Sequence, residues 1–181
     1  KIKDALKIIM NGTEDQVIDF IAKFREEFPK LPVADIAFPR GVNGLEKYRN
    51  KTGKAEMNNP VFCGFANPDD AFLGSALYIS GTPIHVKGAL IYNHYLKSLN
   101  LNTQYESIRE GEKIKFAYLK PGSLFDDTVI SFVGRYPKEF KLEQFVDYDL
   151  QFEKAFLEPL NTVLQAIGWK HEHASSLEGF F

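Results

Sequence analysis

Two short stretches of the sequence combine basic, hydrogen-bonding and glycine residues in a way that suits an anionic partner. The first is Pro-Arg-Gly-Val-Asn-Gly, which ends at Gly44 and places Arg40 and Asn43 beside two glycines. Lys47 and Tyr48 follow closely. Because glycine lacks a Cβ, the backbone here can approach a phosphate or a groove wall, while Arg40 and Asn43 supply hydrogen-bond donors. The pattern predicts contacts with duplex nucleic acid.

The second stretch is Thr-Pro-Ile-His-Val-Lys-Gly, in which Thr82, His85 and Lys87 stand at the predicted start of a helix. Free backbone N–H groups and the helix dipole favour an anion at such a position. Each stretch alone is also typical of an ordinary loop or helix cap, so that interpretation stays open. The predicted nucleic-acid contacts of the two stretches are Arg40, Asn43, Gly44, Lys47, Tyr48, Thr82, His85 and Lys87.

Charge is distributed unevenly along the chain. The formal net charge is −2 over 181 residues, which argues against a protein dedicated to nucleic acid. Between Arg40 and Lys54, however, five basic residues accompany only one acidic residue, Glu46, which gives +4. From Lys138 onward, four basic and eight acidic residues give −4. The basic segment fits either a patch that binds a polyanion or a solvated loop.

Residue types that commonly carry catalysis are present, but their spacing does not predict a catalytic site. No glycine-rich phosphate-binding motif occurs, and the pattern places no serine or cysteine nucleophile beside His85 or His94. His171 and His173 could supply half of a metal site, although a solvated segment explains them better. Two carboxylate pairs match turn and helix-start positions rather than a two-metal site. These pairs are Asp126 with Asp127 and Asp147 with Asp149. We expect no catalytic residue, metal ligand or cofactor.

Hydrophobic periodicity predicts a mostly helical α+β fold with a small antiparallel sheet. A capping box from Thr13 to Gln16 precedes apolar residues at helical spacing. Pro159 interrupts the last helical pattern, so we expect a bend near Phe156. The predicted helices are residues 2–10, 13–27, 85–99 and 147–169, and the predicted strands are residues 33–38, 111–120 and 128–133.

Two features depart from regular elements. Gly88 lies inside the third predicted helix, where glycine costs about 1 kcal/mol relative to alanine; this points to close packing or a close ligand. The segment from Asn50 to about Asp70 is polar and rich in Asn, Gly, Lys and Pro. It predicts a long loop, and loops of that length are usually functional or mobile.

Cysteine usage and hydropathy indicate the cellular compartment. Cys63 is the sole cysteine, so no internal disulfide can form, which suits a reducing compartment. No run approaches the roughly 18 apolar residues of a membrane span, and the first residues lack the apolar core of a signal peptide. We expect a cytoplasmic protein without membrane contact.

The last residues, Ala-Ser-Ser-Leu-Glu-Gly-Phe-Phe, are unusually apolar for a chain end. Leu177, Phe180 and Phe181 could be aromatic and aliphatic anchors that order on binding a partner. Alternatively, the two phenylalanines fold back onto the core of the domain. The spacing alone leaves both interpretations open.

Three longer blocks resemble the thumb, the C-terminal region of family B DNA polymerases, and within that family the replicative polymerases of T4-like bacteriophages. The blocks are G-T-P-I-H-V-K-G-A-L-I-Y-N, G-E-K-I-K-F-A-Y-L and D-Y-D-L-Q-F-E-K-A-F-L-E-P-L. An initial helix, a loop like G-V-N-G-L-E-K-Y and a short hydrophobic end occur in the same order. The resemblance spans essentially the whole chain, although the segment between Asn50 and Ser80 departs from it.

The resemblance implies a thumb-like domain over residues 1–170 and a flexible clamp-binding tail over residues 171–181. Such a domain grips the primer–template duplex through its backbone and minor groove, which would place the two basic stretches against DNA. Leu177, Phe180 and Phe181 would dock on a sliding clamp. The remaining partners would be the palm, fingers and exonuclease of the same polymerase.

The resemblance also implies what this chain lacks. Family B polymerases hold their Mg²⁺ ions with palm aspartates, and the sequence contains neither of the corresponding motifs. We therefore expect a non-catalytic part of a DNA-directed DNA polymerase that is inactive alone. A free-standing adaptor that binds proteins and never touches DNA is the alternative hypothesis.

Overall fold

A computed structural model describes residues 1–51, 77–120 and 128–173. These residues are mostly helical and form one three-stranded antiparallel sheet, which confirms the predicted α+β class. The helices are α1 (Ile2–Asn11), α2 (Glu14–Glu27), α3 (Val33–Ile36), α4 (Leu45–Tyr48), α5 (Ile84–Ser98), α6 (Tyr148–Phe152) and α7 (Glu158–Ala166). The strands are β1 (Phe38–Gly41), β2 (Lys113–Tyr118) and β3 (Val129–Phe132). Short 3-10 helices span Phe28–Lys30, Lys138–Phe140 and Glu143–Phe145, and a π-helical segment spans Glu153–Leu157.

The chain forms two compact units. The first comprises Lys1–Leu31 together with the described residues from Tyr148 onward, and the second is Pro32–Asp147. The predicted boundary after residue 170 lies inside the first unit and stays a prediction. No helix within residues 1–51, 77–120 and 128–173 is long and apolar enough to cross a membrane.

The first unit has a core of phenylalanine rings. The ring of Phe24 on α2 lies 5.7 Å from Phe152 and 4.8 Å from Phe156, measured between centroids. Phe28 meets Phe152 edge to face at 5.2 Å. All four rings are buried, and such pairs contribute about 0.5–1.5 kcal/mol each beyond the burial of their area. The helical spacing of the phenylalanines in sequence therefore builds this core directly.

The start of α2 is the predicted capping box. Thr13 Oγ1 accepts a hydrogen bond from the Gln16 N–H at 3.4 Å, and Gln16 Oε1 accepts one from the Thr13 N–H at 3.1 Å. Both bonds satisfy backbone donors that have no partner inside the helix. The helix before it ends one residue beyond its predicted limit, at Asn11.

The last predicted helix loses its regular α-helical form around Phe156, the residue near which we expected a bend. A π-helical segment, Glu153–Leu157, separates α6 from α7, and Pro159 lies in the first turn of α7. Proline has no N–H, and its ring clashes with the carbonyl four residues earlier in a regular helix. Turns of this wider kind occur mostly as single-turn interruptions of α-helices.

The second unit is built on the sheet, whose strand order is β1-β2-β3. Phe38 pairs with Phe116 between β1 and β2, and Phe116 pairs with Ser131 between β2 and β3. Helix α5 packs on β3. A Cβ on Gly88 of α5 would lie 2.4 Å from Ser131 Oγ and 2.7 Å from Ser131 N. The glycine is therefore explained by close packing of the helix on the strand, one of the two possibilities the sequence left open.

The predicted strand over residues 33–38 is wrong for most of its length. Val33–Ile36 is a short helix, closed by a hydrogen bond from the Ala37 N–H to the Val33 carbonyl at 3.0 Å, and β1 begins only at Phe38. Val33 and Ile36 are both buried, while Asp35 is exposed. A strand would put Val33 and Asp35 on the same face. The burial of two residues three positions apart, which favours a helix, therefore outweighs the β-branched composition, which favours a strand.

Candidate nucleic-acid interface

Gly44 is required by the shape of its own loop. It starts α4 with φ of 92°, in the left-handed region, and a Cβ there would lie 2.9 Å from a ring carbon of Tyr48. Because other residues adopt this conformation only with strain, glycine allows the chain to turn and Tyr48 to lie against it. The glycine thus positions one of the predicted contacts.

The backbone amides at this position already have an anionic partner. The Gly44 N–H donates to one carboxylate oxygen of Glu110, and the Leu45 N–H donates to the other at 2.8 Å. A carboxylate is the expected partner at the positive end of a helix. The sequence-based interpretation brought the backbone at Gly44 close to a phosphate or a groove wall and missed Glu110, which lies more than sixty residues away in the chain. Contact between Gly44 and DNA stays a prediction.

A short antiparallel pairing joins the two predicted stretches. Arg49 and Tyr78 form a β-bridge. The Asn50 N–H donates to the Leu77 carbonyl, and the Ile79 N–H donates to the Tyr48 carbonyl, both at 3.0 Å. The residues that follow the first stretch are therefore held beside those that precede the second.

Two lysines lie over tyrosine rings at this junction. Lys47 Nζ is 5.0 Å from the centroid of the Tyr48 ring, and Lys87 Nζ is 5.0 Å from that of Tyr78. These distances fit cation–π attraction. Tyr78 was not predicted from the sequence, because its role depends on the bridge to Arg49. The junction presents positive charge and flat apolar rings together.

Arg40 on β1 and His85 on α5 lie close enough for the charge of one to affect the other. Burial, and then the positive charge of Arg40, lower the pKa of His85 below its usual value. The His85 ring lies 6.1 Å from the Phe116 ring, and Arg40 is paired with Ile114 on β2. His85 is therefore biased towards the neutral form at neutral pH, in which it can donate a hydrogen bond without carrying charge.

Thr82 lies in a different environment from its predicted neighbours. It is 6% exposed, and its hydroxyl donates to the Ile79 carbonyl at 2.6 Å. The hydroxyl therefore stabilises the turn before α5, which begins after Pro83 without a side-chain cap. Asn43 and Lys47, by contrast, are exposed. We call Arg40, Lys47, Tyr48, Tyr78, His85 and Lys87 the basic–aromatic cluster.

One expectation about histidines is wrong. Ser98 Oγ lies 3.1 Å from His94 Nε2, so α5 does place a hydroxyl beside this imidazole. The same hydroxyl donates to the His94 carbonyl oxygen at 3.1 Å, as serine often does four residues further along a helix. The spacing of four residues could have revealed the pair. Ser98 is exposed at the end of α5.

Other candidate residues lie apart or outside the described part of the chain. Leu177, Phe180 and Phe181 of the predicted tail, and Asp126 and Asp127, lie outside residues 1–51, 77–120 and 128–173. Within those ranges, no three His, Cys, Asp or Glu residues are grouped to hold a metal ion, so Asp147 and Asp149 belong to no such group. The Nε2 atom of His171 lies 3.7 Å from Glu172 Oε1, and the Nδ1 atom of His173 lies 3.9 Å from Asp15 Oδ1.

Comparison with known proteins finds a sequence similarity of the chain to one class of enzyme, the DNA polymerases. No protein-family model matches it. It is distantly similar to a DNA polymerase: the relative is the DNA-directed DNA polymerase of Enterobacteria phage T4, 23% identical over 184 residues. The match covers 99% of this chain and 17% of the phage enzyme, so the chain spans less than a fifth of its relative's length. This similarity supports the predicted relation to a DNA polymerase; the thumb and family B assignments stay predictions.

Proposed function

We propose that this chain is a non-catalytic, thumb-like part of a family B replicative DNA polymerase that grips the primer–template duplex. The observation that carries the proposal is the basic–aromatic cluster, in which two stretches far apart in sequence are joined by the Arg49–Tyr78 bridge. The similarity to a DNA polymerase over nearly the whole chain supports it independently.

The chemistry of the cluster fits binding without sequence preference. Lysine and arginine side chains contact phosphates, which positions a protein on a duplex without reading bases. Tyr48 and Tyr78 add flat surfaces that can pack against sugars at the edge of a groove. A replicative enzyme needs such a grip, because it must hold any sequence that it has copied.

Polymerase chemistry is proposed to lie elsewhere. The metal ions of the intact enzyme would be held by aspartates of a palm, and this chain would contribute no ligand to them. Its partners would then be the DNA duplex and the palm, fingers and exonuclease of the polymerase.

A second part of the proposal concerns the tail. Leu177, Phe180 and Phe181 would insert into a pocket of a sliding clamp, and the tether would keep the polymerase on DNA by raising its effective concentration. The support is the spacing of these apolar residues and the resemblance described above. Calorimetry with a T4-type clamp tests it: the native chain should bind and the Phe180→Ala/Phe181→Ala variant should not. Equal binding by both chains, or no binding by either, would contradict this part.

The DNA grip is tested with a labelled primer–template duplex, by fluorescence anisotropy over a range of salt concentrations. A plot of the logarithm of the association constant K against the logarithm of the salt concentration has a negative slope. Each lost phosphate contact lowers the magnitude of this slope by about 0.9. We expect Lys47→Ala and Lys87→Ala each to weaken binding and flatten this slope. Lys23→Ala, an exposed lysine on α2, is the matched control and should bind like the native chain. If all four proteins behave alike, the adaptor hypothesis is favoured instead.

A further inference from the structure

A cleft of about 200 Å³ lies beside the basic–aromatic cluster in the second unit. One wall is a stripe of α5 formed by Leu90, Asn93, His94 and Lys97, at the spacing of a single helical face. The other wall is the paired segment that carries Arg49, Asn50 and Leu77. We call this space the α5 cleft. Neither the sequence patterns nor the similarity to a polymerase assigns it a role.

The α5 cleft has the charge of an anion site. Its described lining includes Arg49, Lys97 and the imidazole of His94, and none of its seven described lining residues carries a carboxylate. Leu90 is buried and forms an apolar wall. Two cationic side chains that line a small space with one apolar side favour a group that carries negative charge and several acceptor oxygens.

The hydrogen bonds of Asn93 and the ion pair of Arg49 bear on how the α5 cleft could receive an anion. Asn93 uses its amide on the backbone of Ile108, with both hydrogen bonds at 2.8 Å, and therefore shapes the wall. Arg49 forms an ion pair with Glu46 at 2.9 Å, but the Arg49 side chain is 47% exposed and the Glu46 side chain 71% exposed. Exposed pairs of this kind are weak, so the guanidinium can exchange Glu46 for a stronger acceptor.

We infer that the α5 cleft binds one phosphate of a nucleic-acid backbone. Arg49 directly follows Tyr48 in the chain, so a strand held at the basic–aromatic cluster reaches the cleft without leaving the surface of the same unit. The guanidinium offers paired N–H donors and Lys97 a mobile ammonium, which together suit the two free oxygens of a phosphodiester. The inference rests on the proposed DNA grip and extends its footprint beyond the predicted residues.

The test compares salt dependence among matched variants. Arg49→Ala and Lys97→Ala should each weaken binding of the primer–template duplex and lower the slope of log K against log salt by up to about 0.9. The double variant should lose little more slope than one of the singles, because both act on one phosphate. Lys97→Arg should restore most of the binding. Lys138→Ala, an exposed lysine of the same unit outside the cleft, should match the native chain.

The outcomes separate this inference from the proposed function. If the native chain binds DNA and Lys47→Ala weakens it, but the cleft variants bind normally, the cleft inference is overturned alone. If the native chain does not bind DNA, the proposed function fails first. The imidazole resonances of His94 supply a direct readout: they should shift with the duplex. A saturating shift with inorganic phosphate, without any effect of the cleft variants on DNA binding, would identify a free-phosphate pocket and overturn the assignment to nucleic acid.

Discussion

Glu110 illustrates at the scale of one residue why the candidate site could be predicted only in part. The sequence reveals Arg40, Lys47 and Lys87 because their charge is visible in it. It does not reveal that a distant carboxylate caps Gly44 and Leu45, since that contact depends on the fold of the second unit. Tyr78 was missed for the same reason. Thr82 was predicted to bind an anion, although its hydroxyl stabilises a turn.

Removing the Glu110 carboxylate should loosen α4. Glu110→Ala leaves two backbone donors without their partner, and loss of a helix cap typically costs about 1 kcal/mol. We expect the free energy of unfolding in urea to fall by about that amount. Glu110→Gln, which keeps one acceptor oxygen, should lose less. The exposed Glu26 on α2 is the control, and a Glu110→Ala chain as stable as Glu26→Ala would contradict the assignment.

His85 should make stability depend on pH in a defined window. Its pKa is lowered in the folded chain, by burial and then by Arg40, so the unfolded chain takes up a proton first as the pH falls. The free energy of unfolding should therefore decline as the pH drops below about 6.5, and His85→Gln should remove this part of the decline. The pKa of Glu139 is also lowered, from its usual value of 4.5. Its contribution to the free energy of unfolding is therefore lost only at more acidic pH, below about 4.5. Urea unfolding at pH 7.5, 6.5 and 5.5 makes the comparison, and identical pH dependence in both chains would contradict it.

At the scale of elements, sequence periodicity located the longer helices and two of the three described strands, but it missed the four-residue helices α3 and α4 and most of β1. Amphipathic spacing gave α1, α2 and α5, and alternation gave β2, where Ile114 and Phe116 are buried and Lys113 and Lys115 are exposed. The failure at Val33–Ile36 has a local cause: four residues are too few to separate a period of two from a period of 3.6. The interruption before Pro159 could be predicted because proline's restriction is covalent.

Gly88 is the position where one element most constrains another. An added Cβ would meet both the side chain and the backbone nitrogen of Ser131, so Gly88→Ala must push α5 away from β3. Overpacking of this kind costs about 1–3 kcal/mol, despite alanine's better helix propensity. The melting temperature should therefore fall, and adding Ser131→Ala should not restore it because the backbone contact persists. A melting temperature that rises in Gly88→Ala would show that the packing is looser than described.

At the scale of the whole molecule, the fold explains how a chain of net charge −2 can offer a basic surface. The basic stretches lie together in the second unit, while four basic and eight acidic residues occur from Lys138 onward, in a segment that begins in the second unit and continues into the first. The net charge of the whole chain therefore does not reveal the local excess of positive charge. The α+β class followed from composition and periodicity, but the junction of the two stretches did not, because it depends on pairing across an intervening segment of more than twenty residues.

The most direct test of the central claim is the salt dependence of duplex binding by the native chain, measured by anisotropy on two primer–templates of unrelated sequence. We expect binding at low salt, a steep negative slope of log K against log salt, and nearly equal slopes and affinities for the two duplexes. Undetectable binding at low salt, or binding that does not respond to salt, would contradict it.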